Sequence, residues 1–171
     1  DRKYDIRPDH SSWPVQFEQY ASQIRNIFNN VQIEHIGSTS VPNMVGKPCI
    51  DILVIINDLQ IVEDHIPEME HAGFEYAGQF VMEGSRLFRV MKNNELLANI
   101  HFFLEGHSHN AEMILLRNYL RTHQKEVESY SRIKEELYTK YANDYASYRK
   151  FKDEYMNALK NRAQESTVVT C

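Results

Sequence analysis

The chain is poor in cysteine. Only Cys49 and Cys171 occur in 171 residues, too few for a disulfide framework. It also lacks an excess of positive charge. Nineteen Lys and Arg stand against 24 Asp and Glu, for a net charge of −5, which argues against a broad nucleic-acid footprint. No apolar run is long enough to span a bilayer, and no signal-peptide pattern opens the chain. These absences point to a cytoplasmic protein with no membrane partner. The first residue is Asp1 rather than Met, so the chain is expected to be trimmed or processed. Repeats and low-complexity stretches are absent. So are Gly-x-Gly-x-x-Gly, the phosphate-loop Gly-Lys-Ser/Thr and Cys-x-x-Cys, which removes three common nucleotide and redox signatures. No Ser/His/Asp order can be argued.

What is present is ordinary in bulk. A hydrophobic fraction of 42% and a charged fraction of 25% describe one globular domain, 1–171, large enough for a sizeable core. Ser12 and Pro14 open a helix expected to reach about Asn29, with Phe17, Tyr20, Ala21, Ile24, Ile27 and Phe28 as its apolar stripe. Val31 to Ile36 reads as a strand, and Ile50 to Ile56 as a second, buried one. Asp58 can cap a short helix, Pro67 restarts it and Gly73 stops it. Phe74 to Tyr76 reads as a third strand. Arg86–Met91 and Leu97–Leu104, joined through Lys-Asn-Asn-Glu, read as a hairpin. Beyond Gly106 the period becomes helical, giving a tail from about residue 108. Its stripes are Met113, Leu116, Tyr119 and Leu120, then Val127, Tyr130, Ile133 and Leu137, then Tyr145, Tyr148, Phe151, Tyr155 and Leu159. Asp144 is the expected cap of the last helix. Residues 164–171 lack an obvious partner and are expected to be disordered.

The most informative segment is Glu34-His35-Ile36-Gly37-Ser38-Thr39-Ser40-Val41-Pro42, followed by Lys47-Pro48-Cys49-Ile50-Asp51-Ile52-Leu53-Val54. A strand ends in Gly-Ser, a helical turn follows, and the next strand opens with an aspartate. Gly37 lets the backbone turn and approach a ligand without a Cβ in the way. Gly37, Ser38 and Thr39 can present N–H groups to a phosphate. Asp51, at the start of a buried strand, needs a partner, and a divalent cation is a natural one. The plain alternative is a turn cap, or a pair with Lys47. Cys49 reads as an inert core thiol.

The string "EHIGSTSVP…KPCIDILV" resembles the signature of the GrpB-like family, part of the nucleotidyltransferase superfamily with the polymerase-beta-like fold. "SSWPVQFEQYASQI", "NIHFFLEG" and "LLRNYLRTHQKEVESYSRIKEEL" extend the resemblance over nearly the whole chain. It implies an α+β class: a small mixed nucleotidyltransferase-like sheet flanked by helices, with a C-terminal helical tail. The sense of each strand pair stays open. Enzymes of the superfamily usually carry a second carboxylate two residues after the first, on the same strand face. Here that position is Leu53. A third carboxylate often comes from a nearby strand, and the matching strand offers Asn99 and His101.

Two histidines are candidates to compensate. His35 and His101, with Asp51, would form a metal set of two imidazoles and one carboxylate, and Asp51 and His101 are the catalytic candidates. Magnesium or manganese is the expected metal, with zinc as the alternative that imidazoles suit. For His101 the plain alternative is a hydrogen-bonded strand histidine, and for His35 a core position beside Ile33. Glu34 and His35 face opposite ways, so only one of them can face Asp51. Lys47 is a candidate phosphate contact or a loop lysine. Arg86 and Arg89 have opposite parity, so at most one faces the cleft. His107 and His109 have ligand-like spacing but weak support.

Three functions follow. The first is metal-assisted transfer of a nucleotidyl group from a nucleoside triphosphate to an unknown acceptor. The second is non-catalytic binding of a nucleotide or another phosphorylated small molecule. Here the resemblance adds a link to coenzyme A synthesis, since relatives occur fused to dephospho-coenzyme A kinase. The third is a His/Asp metal-dependent phosphohydrolase.

Overall fold

Alternation along the second strand sets the architecture. The structure is a computed structural model that describes residues 4–9, 11–79 and 82–168. Its strands are β1 (Gln32–Ile36), β2 (Ile50–Ile56), β3 (Glu75–Gly78), β4 (Ser85–Lys92) and β5 (Glu95–Leu104). They form one sheet in the order β1-β2-β5-β4-β3. β2 and β5 are parallel, and the other neighbours are antiparallel. A parallel pair needs a crossover. Here it consists of α2 (Leu59–Asp64), α3 (Ile66–His71), β3 and β4.

On β2, Ile50, Ile52, Val54 and Ile56 face one side with Ala98, Ile100 and Phe102 of β5 and Phe88 of β4. That side is covered by α1 (Ser12–Ile27) through Trp13 and Ile24, with Phe28, Val62 and Met69 beside them. The other side carries Asp51 and Leu53. Leu53, Ile36 and Phe103 are buried there, with Met113 and Ile114 of α4 (Ser108–Arg121) packed on them. A third cluster joins Val41 and Met44 to α4, α5 (Gln124–Lys140) and α6 (Tyr145–Val168) through Leu116, Leu120, Val127, Tyr130 and Leu159. The chain is therefore a mixed α+β protein whose helical tail packs against the segment after β1.

Local chemistry explains most boundaries. The Asp58 carboxylate accepts from the Gln60 N–H at 2.9 Å and caps α2. Asp144 accepts from the Ser147 N–H at 3.1 Å at the head of α6. Asn93 and Asn94, at φ 52° and 63°, make the two-residue left-handed turn of the β4–β5 hairpin.

Several elements differ from the sequence reading. The first helix stops at Ile27, because Phe28 turns extended (φ −114°, ψ 127°) to bury its ring. The third strand starts at Glu75, one residue after the buried Phe74, and runs to Gly78. Phe151 is 37% exposed, and its ring stacks on Tyr141 at 5.5 Å instead of entering the core. The disorder expected from residue 164 is also corrected. α6 continues to Val168, anchored by the buried Ala163, while 169–171 lie outside the described residues. Cys171 is among those three. No helix among the described residues is long and apolar enough to cross a membrane.

Candidate functional site

The site forms where β1 ends and β2 and β5 run side by side. Gly37 has φ +74°, in the left-handed region that favours glycine. A Cβ at position 37 would lie 2.9 Å from Asp51 Oδ2, so the turn and the carboxylate touch directly. The 3-10 turn Ser38–Ser40 follows. Its first N–H groups precede the hydrogen-bonding carbonyls of their own turn. Gly37 is exposed and Ser38 half-buried, so these two are the open part of the turn. Thr39 is buried, and its hydroxyl meets His35 Nε2 at 2.8 Å. Ser40 donates its hydroxyl to Gly37 O at 2.5 Å. Of the three hydroxyls, only that of Ser38 faces neither a histidine nor the turn's own carbonyl.

Asp51 is aligned across the sheet with Asn99, and Asn99 with Arg89. Its Oδ1 lies 3.4 Å from Asn99 Nδ2 and 3.5 Å from His101 Nε2. His101 and Asp51 are thus brought together, with their side chains 18% and 34% exposed. Arg89 shares this face by register, whereas Arg86 lies on the other and pairs with Glu63 at 2.6 Å. Leu53, where a second carboxylate would stand, is fully buried.

His35 does not join them, and the expected set of Asp51, His35 and His101 is corrected. His35 is aligned with Ile52, so its ring lies on the core side, stacked on Phe17 at 4.7 Å. Burial, with Arg121 nearby, pushes its pKa down to about 4. Parity is the reason. Glu34 and Ile36 share the face of Asp51, and His35 falls between them. Glu34 itself is held by Arg117 at 2.8 Å. Burial raises the Glu34 pKa, but hydrogen bonds from Arg117 and Gln32 outweigh it and leave it below the usual range. Among the described residues, no three His, Cys, Asp or Glu side chains are placed to hold a metal ion.

Lys47 is not paired with Asp51. Its amine donates to Tyr145 Oη at 2.8 Å. His107 is a cap: its Nδ1 accepts from the His109 N–H at 3.1 Å, and its Nε2 donates to Glu83 O at 3.3 Å. His109 stacks on Phe103 at 4.4 Å, and burial pushes its pKa down to about 4. The thiol of Cys49 is buried and its pKa raised by burial, as an inert core cysteine requires.

One site residue escaped the sequence reading. Lys134 of α5 is 1% exposed, and its amine lies 2.5 Å from Ser38 Oγ and donates to Val45 O at 2.7 Å. Its signal was present: Lys134 falls between Tyr130 and Leu137 in the apolar stripe of α5, where a lysine is out of place.

A mixed sheet with a Gly-Ser turn against a strand aspartate is the fold that nucleotidyltransferases also have. A cytoplasmic RNA terminal U-transferase superposes with a TM-score of 0.56 over 78% of this chain and 43% of its own. At 11% identity this likeness is one of fold alone. The chain belongs to the GrpB protein family, whose pattern matches residues 3–162. A UPF0157 protein of Halalkalibacterium halodurans is 33% identical over 138 residues, covering 79% of this chain and 67% of that one. The crystal structure of GrpB from Enterococcus faecalis has a TM-score of 0.88 at 29% identity, over 95% of this chain and 99% of that one. The chain spans less than half, 48%, of the related UPF0157 protein YqkA of Bacillus subtilis, which is 27% identical to it.

Proposed function

We propose that this protein binds a nucleoside triphosphate or another phosphorylated small molecule, with the phosphates on Gly37, Ser38 and Thr39. The observation that carries the reading is the contact between turn and carboxylate, where a Cβ at 37 would lie 2.9 Å from Asp51 Oδ2. A ligand on the turn's N–H groups would then lie beside Asp51. A solved Cid1 poly(U) polymerase of the same fold holds MgGTP, which supports this choice of ligand. Magnesium is commonly held by one or two carboxylates together with substrate phosphates. Asp51 fits that role for magnesium or manganese, and the cation would neutralise phosphate charge when bound. Zinc fits less well, because His35 points to the opposite face.

Binding without transfer is what these residues support best. Leu53 is buried apolar, and Asn99 brings an amide instead of a carboxylate. One carboxylate is a poor basis for the metal pair that nucleotidyl transfer uses. The His/Asp phosphohydrolase loses its second imidazole with His35. A second reading, transfer to a hydroxyl acceptor, is favoured by one observation. His101 Nε2 lies 3.5 Å from Asp51 Oδ1, which puts an imidazole beside the carboxylate that would meet the phosphates.

The test is a melting-temperature scan of wild type and Asp51→Asn with magnesium, manganese or zinc and each nucleoside triphosphate. A ligand that binds only the folded state adds about 2.7 kcal/mol at 100 times Kd. The expected result is a shift that needs metal and nucleotide together and is lost in Asp51→Asn. A flat scan for every pair sinks the nucleotide reading.

A further inference from the structure

We propose that Lys134 and Ser38 form a proton-linked donor switch under the phosphate turn. Lys134 takes up a proton when a phosphate group binds, and the Ser38 hydroxyl then turns its hydrogen toward the ligand. The inference rests on the phosphate reading of that turn.

The Lys134 amine is held by two groups. Its hydrogen-bond partners, Ser38 Oγ and Val45 O, are uncharged. The Tyr130 ring lies 4.1 Å from it, on the same helix. Burial keeps Tyr130 a neutral phenol. From α6, Lys152 opposes a charge on Lys134. Asp153 of α6, whose charge reaches Tyr130, is engaged by Lys152 at 3.6 Å and Arg149 at 3.7 Å. Among the described residues, no carboxylate forms an ion pair with Lys134. A buried ammonium without a counter-ion is strongly disfavoured. Burial accordingly holds this amine well below the ordinary lysine range.

A ligand on the turn would supply the missing counter-charge on the Ser38 side of the amine. Ser38 separates the amine from the open side of the turn. Gly46 closes the other side, since a Cβ there would lie 2.6 Å from Ser38 Cβ. Thr39 and Ser40 have their hydroxyls committed inside the protein, so Ser38 is the hydroxyl that can answer a ligand.

The charge on the amine decides whether that hydroxyl can point inward. A neutral amine has a lone pair, so it can accept the Ser38 O–H while donating to Val45 O. An ammonium has three donors and no acceptor. It donates to Ser38 Oγ, and the hydroxyl hydrogen turns outward. A phosphate on the turn favours the second state twice, by its charge and by accepting the hydroxyl. By reciprocity, the proton favours the phosphate. One proton passes from solvent to Nζ, and no covalent bond changes. Lys134 is a positioning residue that acts through Ser38.

The experiment is calorimetric titration of the full chain with magnesium pyrophosphate at pH 8, in buffers of different ionisation enthalpy. In parallel, the Lys134 Cε resonance is followed by NMR in lysine-labelled wild type. The expected results are net proton uptake on binding, and a Lys134 signal that moves from the amine to the ammonium position. Lys134→Met abolishes the uptake. Lys134→Met and Ser38→Ala each weaken binding about tenfold, and the double variant is no weaker than either, because the two act as a unit. Binding without uptake, or a Lys134 signal already at the ammonium position in the free protein, overturns the switch alone. Additive losses overturn the claim that Lys134 acts through Ser38. No binding of pyrophosphate or of any triphosphate by wild type overturns the phosphate reading and the switch together. The NMR arm needs no variant, so it decides the matter even where Lys134→Met fails to fold.

Discussion

Gly37 shows how much one residue can carry. Its φ of +74° is unfavourable for any side chain, and Asp51 occupies the space a Cβ would need. Gly37→Ala is expected to cost about 2 kcal/mol in urea denaturation, from the left-handed backbone and the contact together. It should also displace the Asp51 carboxylate and reduce any metal-dependent nucleotide shift. An unchanged denaturation midpoint would mean that turn and carboxylate are less tightly joined than the geometry requires. Gly37 and Asp51 were legible in the sequence because their chemistry is local: a glycine at a sharp turn, and a charge in an apolar run. Lys134 was harder to read. Its role depends on Ser38, 96 positions earlier in the chain.

Elements were the most legible level. The apolar run at 50–56 is β2, from Ile50 to Ile56. The Asn-Asn pair made a hairpin because asparagine tolerates positive φ better than most residues. Both residues of the turn lie there, at φ 52° and 63°. Asn94→Val is therefore expected to destabilise by about 1–2 kcal/mol, read from the urea midpoint, since a β-branched residue resists this conformation. Asn94→Gly should not destabilise the turn. A stable Asn94→Val protein would show that the cross-strand pairs, not the turn, hold the register. Helix ends were less legible. Phe28 leaves α1 because burying its ring outweighs one more helical hydrogen bond, a choice made by the core beneath it.

For the whole molecule, acid stability should fall in two windows. His35 and His109 both have pKa values pushed down to about 4 by burial. An unfolded histidine titrates near 6.5, so below that pH the unfolded chain binds protons that the folded one refuses. Stability is full above about pH 6.5 and falls as the pH drops toward 4. For the buried His35 the loss is on the order of 3 kcal/mol. Glu34 and Glu63 are held below the usual carboxylate range, so their contribution is lost at lower pH still. The melting temperature from pH 7 to 4 should decline in wild type and flatten in His35→Gln with His109→Gln. An equal slope in both proteins would assign the acid lability to other groups.

Period, turn chemistry and apolar runs determined the element order, because these are properties of neighbouring residues, while the family and the α+β class followed from the resemblance of one long motif. They also placed Gly37 beside a strand aspartate. The pairing of strands was decided only in three dimensions. The parallel alignment of β2 with β5 brought His101 to Asp51, and the register of β1 turned His35 to the far face. A shift of one residue in a strand exchanges its two faces, and nothing in the local sequence specifies the partner strand. The return of α5 over the turn then put a buried amine on Ser38, a contact that exists only once the tail has packed.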